Sequence, residues 1–158
     1  MKLQTKWRGL LAIAALTAGA MQAGAKTEQK AARKSAAQTI QWQPSLAAAE
    51  KESQQTGKPV MVVFHATWCG ACRMLEQQTL TDAKVIEAAQ QWAAVKVDVD
   101  EEKKLAEQYG IQSLPTTGFF RADGGPKLGF VGAAEPQDMV EIMETAYDKL
   151  EKSKSEKK

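Results

Sequence analysis

The sequence predicts an α/β domain built on one central mixed β-sheet with helices on both faces. Three observations carry this expectation. The segment "KPVMVVFHA" (58–66) is an almost continuous apolar, β-branched run, the pattern of a strand buried on both faces of a sheet. Helical and strand patterns alternate around it, as they do in parallel sheets with crossover helices. Two strand segments joined by a glycine turn come near the end, so an antiparallel hairpin closes a sheet that begins parallel.

Taken in order, "PSLAAAEKESQQ" (44–55) reads as a helix, with Pro44 suited to its first turn and Gly57 placed to close it. Strand 58–66 follows. From Cys69 to about Gln78 the composition is helical, and "DAKVIEAAQQW" (82–92) adds another helical stretch. "AAVKVDVD" (93–100) alternates as a strand does. "EEKKLAEQYG" (101–110) opens with acids and closes at Gly110, as the helix dipole and the C-terminal glycine prefer. "TTGFFRADGGPKLGFVG" (116–132) reads as a hairpin turning at Asp123, Gly124 and Gly125. "EPQDMVEIMETAYDKL" (135–150) closes the domain as an amphipathic helix, with Met139, Val140, Met143, Tyr147 and Leu150 on one face. There is no internal repeat.

The flanks are different in kind. Lys2, Lys6 and Arg8 precede the apolar run "LLAIAALTAGA", and Ala23-Gly24-Ala25 offers a small-residue cleavage site. That is the layout of a secretory signal peptide over residues 1–25, cut after Ala25. The apolar run is short for a bilayer core of about 30 Å, which weighs against the alternative of an uncleaved anchor. No cysteine lies near the cut to take a lipid. Taking 25 residues from 158 leaves 133, a length for one domain. Residues 26–40 read as a polar linker, 41–150 as the domain, and 151–158 as a basic tail. The expectation is an exported, periplasmic protein with no stable membrane insertion once the signal is removed.

The whole chain carries +2, and without the three positive charges of the signal it carries −1. Residues 41–150 hold 10 Lys/Arg against 16 Asp/Glu, while basic residues gather in "KTEQKAARK" and "EKSKSEKK". An acidic domain with short basic flanks argues against nucleic acid as a partner.

The chemistry concentrates in "TWCGAC" (67–72), which holds both cysteines of the chain, Cys69 and Cys72. As a structural staple the pair would close a tiny loop and remove little unfolded-state entropy. A zinc site needs about four ligands, and His65 is the one histidine left to add. No metal and no cofactor are expected. A redox couple suits the position better. Where a buried strand gives way to a helix, Cys69 meets unpaired N–H groups and the positive end of the dipole, and both favour the thiolate that attacks disulfides. Cys72, about one turn further round, would then resolve the mixed disulfide. An exported location supplies disulfide-bearing partners.

"TWCGAC", then "YGIQSLPT" (109–116), then "GFVGA" (129–133) together resemble the thioredoxin superfamily, over about residues 41–150. More narrowly, "GKPVMV" leading into "WCGAC", with Glu76 seven residues past the first cysteine, is similar to exported thioredoxins and to the C-terminal domain of DsbD-type thiol:disulfide interchange proteins. The resemblance implies a thioredoxin-like fold. It implies Cys69 as nucleophile and Cys72 as resolving cysteine, with Gly70 and Ala71 between them. Trp68 matches the flanking aromatic and Pro115 the family's cis-proline, which leaves the backbone of Leu114 to pair with an extended substrate. Gly132 matches a glycine that lets a third loop approach the site. The implied partners are protein thiols and disulfides and an upstream redox protein.

Two positions depart from the family pattern. Val63 stands where thioredoxins commonly carry a buried acid on the central strand, so Glu76, His65 and Lys96 become candidates for tuning the thiols. Ala71 stands where proline is usual and keeps an N–H that proline removes. Couples of this fold range from about −270 to about −120 mV, a gap of roughly 7 kcal/mol for two electrons, and the direction of electron flow stays open on residues alone. The likeness favours a reductase. The missing acid motivates the alternative, a binding or holdase module with little redox turnover.

Overall fold

The computed structural model describes residues 39–125 and 127–156. The expected signal peptide and most of the expected linker lie outside the described residues.

A five-stranded mixed sheet forms the middle of the molecule. Its strands are β1 (Trp42–Gln43), β2 (Val60–His65), β3 (Ala93–Asp98), β4 (Thr116–Phe120) and β5 (Leu128–Val131), in the spatial order β1-β3-β2-β4-β5. β1, β3 and β2 run parallel, while β4 is antiparallel to β2 and to β5. The helices are α1 (Leu46–Thr56), α2 (Gly70–Met74), α3 (Ala83–Ala89), α4 (Lys103–Gln108) and α5 (Pro136–Ser155).

The apolar run of β2 is explained by its position. Val60, Val62 and Phe64 pack with Leu46, Ala49, Val95 and Phe120 on the face covered by α1 and α4. Met61 and Val63 pack with Leu75, Val85, Trp92, Met139, Met143 and Leu150 on the opposite face. Successive side chains point to opposite faces, so a strand buried on both cannot alternate in polarity. All five residues from Val60 to Phe64 are at most 1% exposed.

Several boundaries differ from the sequence reading for identifiable reasons. Pro44 precedes α1 rather than entering its first turn, because Ser45 takes the cap and its Oγ accepts from the Ala48 N–H at 3.2 Å. Gly57 closes that helix, donating its N–H to the Ser53 carbonyl at 2.8 Å. β1 has no sequence signal at two residues; it is a strand only through its pairing with Ala94 and Val95. Ile40, the last residue assigned to the linker, is buried against the core beside it. α2 does not continue to Gln78 as a regular helix but changes into a π-helical turn over Leu75–Thr79. Glu101 and Glu102 precede α4 instead of forming its first turn. Residues 151–155, assigned to a tail, extend α5 by more than a turn, with Lys152 and Lys154 at the dipole's negative end.

Candidate active site

β2 and β3 end side by side, with His65 opposite Asp98, and the loops after them form the site. This is the carboxyl end of the parallel strands, where open α/β sheets meet ligands. After His65 the chain turns through Ala66, Thr67 and Trp68, and the Cys69 N–H donates to the Ala66 carbonyl at 3.1 Å. Cys69 then caps α2 with extended backbone, φ −78° and ψ 108°. Its Sγ accepts from the Cys72 N–H at 3.1 Å.

Cys69 and Cys72 are joined as a disulfide, with Cα atoms 5.3 Å apart. Cys69 is 6% exposed and Cys72 2%, so the residual access favours Cys69. A sulfur at a helix N-terminus, already accepting one backbone N–H, sits in a field that stabilises negative charge. Gly70 and Ala71 are exposed on the first turn of α2. Arg73 Nη1 donates back to the Thr67 carbonyl at 3.1 Å, bracing the turn from the far side.

The disulfide packs against Ala66, Val99 and Leu114. The Leu114–Pro115 peptide bond is cis, and Pro115 is buried. Gly132 donates its N–H to the Pro115 carbonyl at 2.8 Å, with φ at 106°, a conformation that favours glycine. The loops bearing Leu114–Pro115 and Gly132 are thus bonded to each other. Between Trp68 and Cys69 on one side and Ile111–Leu114 on the other lies a cleft of about 320 Å³, with Val99 in its lining. Trp68 is 66% exposed, and its Nε1 donates to Asp100 Oδ2 at 2.7 Å. A roomier cleft of about 580 Å³, between β5 and α5, contains none of these residues.

The structure gathers Glu76, His65 and Lys96 around one oxygen. Glu76 Oε1 lies 3.1 Å from Lys96 Nζ and 3.9 Å from His65 Nδ1. Glu76 lies in the π-helical turn and meets His65 of β2 and Lys96 of β3, and Lys96 also lies over the Trp42 ring at 5.5 Å. Val63 is fully buried among apolar side chains. Opposite it stands Thr117, whose buried Oγ1 has no hydrogen-bond partner among the described residues.

Sequence reasoning did not find Asp100, Val99 or the Ile111–Ser113 wall. Asp100 had a usable signal: an acid just past a strand parallel to the cysteine-bearing one falls at the sheet's functional end. Among the described residues, no helix is long and apolar enough to cross a membrane.

Comparison with known proteins agrees with this geometry. The model of the thioredoxin-like domain family matches residues 46–147. The chain is 41% identical over 93 residues to thioredoxin 1 of Nostoc, covering 56% of this chain and 78% of that protein. It is 30% identical over 99 residues to the thiol:disulfide interchange protein DsbD of Campylobacter jejuni, covering 60% of this chain and 17% of that longer protein. A thioredoxin from Thermus thermophilus superimposes with a TM-score of 0.61 at 24% identity, over 68% of this chain and 86% of that one.

Proposed function

This chain belongs to the thioredoxin-like family, and on that premise we propose that it is an exported reductase of protein disulfides working through Cys69 and Cys72. The observation that carries the reading is the Cys69–Cys72 disulfide at a helix N-terminus, with the less buried cysteine beside an open cleft.

In the dithiol form the Cys69 thiolate attacks one sulfur of a partner's disulfide. That S–S bond breaks, one partner sulfur leaves as a thiolate and takes up a proton, and Cys69 is held in a mixed disulfide. Cys72 loses its proton and attacks Cys69 Sγ, releasing the second partner sulfur. The partner has gained two electrons and two protons, and the chain is left with its own disulfide. An upstream dithiol protein returns the two electrons. Leu114 and Pro115 line the approach of an extended partner segment, with Trp68 and Gly132 flanking it.

Glu76 lies one helical turn beyond Cys72 and stands in for the carboxylate missing at Val63. With His65 and Lys96 on the same oxygen, it tunes the loss of the Cys72 proton. Export to the periplasm rests on the leader in residues 1–25.

Insulin reduction with dithiothreitol as donor tests the activity: wild type should accelerate it, while Cys69→Ser should leave it at the uncatalysed rate. Equal rates for the two proteins would sink the reading. A Cys69–Cys72 potential nearer −270 than −120 mV, measured against glutathione, is the result expected of a reductase. Val63 favours the second reading, a holdase using the same fold. A Cys69 thiol pKa at or above about 8.5 would support it.

A further inference from the structure

We propose that β5 is a self-pairing edge: two copies of this chain join antiparallel along it, on a two-fold axis at Phe130, each filling the cleft between β5 and α5 of the other.

β5 is an outer strand of the sheet, with one side paired to β4 and the other unpaired. The bond from the Gly132 N–H to the Pro115 carbonyl sets which backbone groups face which way. Hydrogen-bonded pairs alternate along antiparallel strands, so Phe130 and Leu128 bond to β4 as Gly132 does. The N–H and C=O of Gly129 and Val131 then point outward, to the free side. Exposed edges are commonly blunted by a charge or a proline. The strand "LGFV" carries neither, and Lys127 beside it is turned back over the Tyr109 ring at 4.6 Å.

The two faces of the edge fit a second copy. With Gly129 of each chain bonded to Val131 of the other, the two Phe130 residues stand directly opposite. On the α5 face, Phe130 already stacks on Phe119, ring centroids 6.5 Å apart, and lines the cleft of about 580 Å³. The partner's ring enters that cleft as a cross-strand aromatic pair. On the other face Gly118 and Gly129 lie side by side with no side chains. Val131, 64% exposed, covers the partner's Gly129 there.

Charge complementarity selects a second copy over another occupant. α5 begins four residues after β5 ends, so it runs back along the strand. The cleft is therefore acidic near Val131, from Asp138 and Glu141, and basic near Leu128, from Lys149. Among the described residues none of these three has a charged partner. A two-fold axis sets the basic end of each cleft alongside the acidic end of the other, the self-complementary pattern of an isologous contact. That axis stands perpendicular to the sheet, so the two Cys69 clefts open at opposite ends and both stay accessible. Four residues of strand and one cleft make a small contact, for which a Kd in the micromolar range is expected.

Sedimentation velocity on the chain expressed from its complete sequence, from low micromolar to submillimolar concentration, tests this together with amide exchange. Monomer should give way to dimer, and the Gly129 and Val131 amides should slow only as the dimer forms. Val131→Lys, at an exposed position, should stay monomeric with the wild-type urea midpoint. Lys149→Glu makes both ends of the cleft acidic and should weaken the dimer about tenfold, while Glu141→Lys combined with Lys149→Glu restores it. A wild type that stays monomeric throughout overturns the proposal, and so does a dimer that persists in Val131→Lys or leaves the two amides in fast exchange. Failure of the charge swap to restore pairing overturns it too. A monomer whose two amides slow only when insulin B chain is added also overturns it, and assigns the edge to an extended partner segment instead.

Discussion

Thr117 shows how one residue can carry a cost that no contact list reveals. Its hydroxyl is fully buried opposite Val63 and unpartnered among the described residues. An unsatisfied buried polar group costs about 1–3 kcal/mol. Thr117→Val removes the hydroxyl and keeps the branched shape, so it should stabilise the protein by about 1 kcal/mol, seen as a higher urea midpoint at unchanged slope. A lower midpoint would mean that the hydroxyl is satisfied in solution. Residues of this kind are the least legible in a sequence, since Thr117 reads as an ordinary β-former until its cross-strand partner is known. Cys69 and Cys72 are legible for the opposite reason: their relation is local, fixed by three residues of backbone. Asp100 falls between the two, because its position past a parallel strand is readable but its bond to Trp68, 32 residues away, is not.

At the scale of elements, strands and helices with strong periodicity were readable, and those defined by partners were not. β2 and α5 carry patterns longer than the local noise. β1 is two residues long and exists through β3. The π-helical turn after Met74 has no composition that separates it from the α-helix expected there, yet it holds Glu76. β5 adds a constraint of its own. It lies so close to β4 that a Cβ on Gly129 would stand 2.7 Å from the Thr117 carbonyl oxygen and 3.4 Å from Gly118 Cα. Both neighbours are backbone and cannot rotate away. Gly129→Ala should therefore destabilise by about 2 kcal/mol, and because β5 leads directly to Gly132, activity should fall with it. Chemical denaturation with a parallel insulin assay checks both; an unchanged midpoint would show that the two strands can part at no cost.

The α/β class, the mixed sheet and its two helical layers were legible because they follow from apolar patterning summed over many residues. Less legible was what fastens the hairpin to the last helix. Arg121 is buried with its guanidinium 3.1 Å from Asp123 Oδ1 and 2.6 Å from Glu151 Oε1, joining the β4–β5 turn to the part of α5 that reads from sequence as a tail. The hydrogen bond from Arg121, assisted by its charge, holds the Asp123 carboxyl below its usual 3.8. A group whose folded pKa is depressed contributes stability above its unfolded value and loses it as pH falls through the folded one. The stability difference between wild type and Asp123→Asn should therefore be present at pH 6 and shrink steadily below about pH 4. Because Asp123 is largely exposed, screening keeps the effect modest. A difference that is constant from pH 6 to pH 2 would rule out this linkage.

The central placement of β2 also governs the order of events as the chain folds. The strand that delivers the cysteines is hydrogen-bonded to β3 about thirty residues later and to β4 more than fifty residues later. Neither pairing can form before those segments are available, and closing such loops is the slow part of assembling a sheet. Until then the two thiols are ordinary cysteines on a flexible strand end, without a helix terminus, a cleft or the Pro115 loop behind them. The nascent chain therefore carries only the background reactivity of free thiols, and the tuned pair exists only when the sheet is complete.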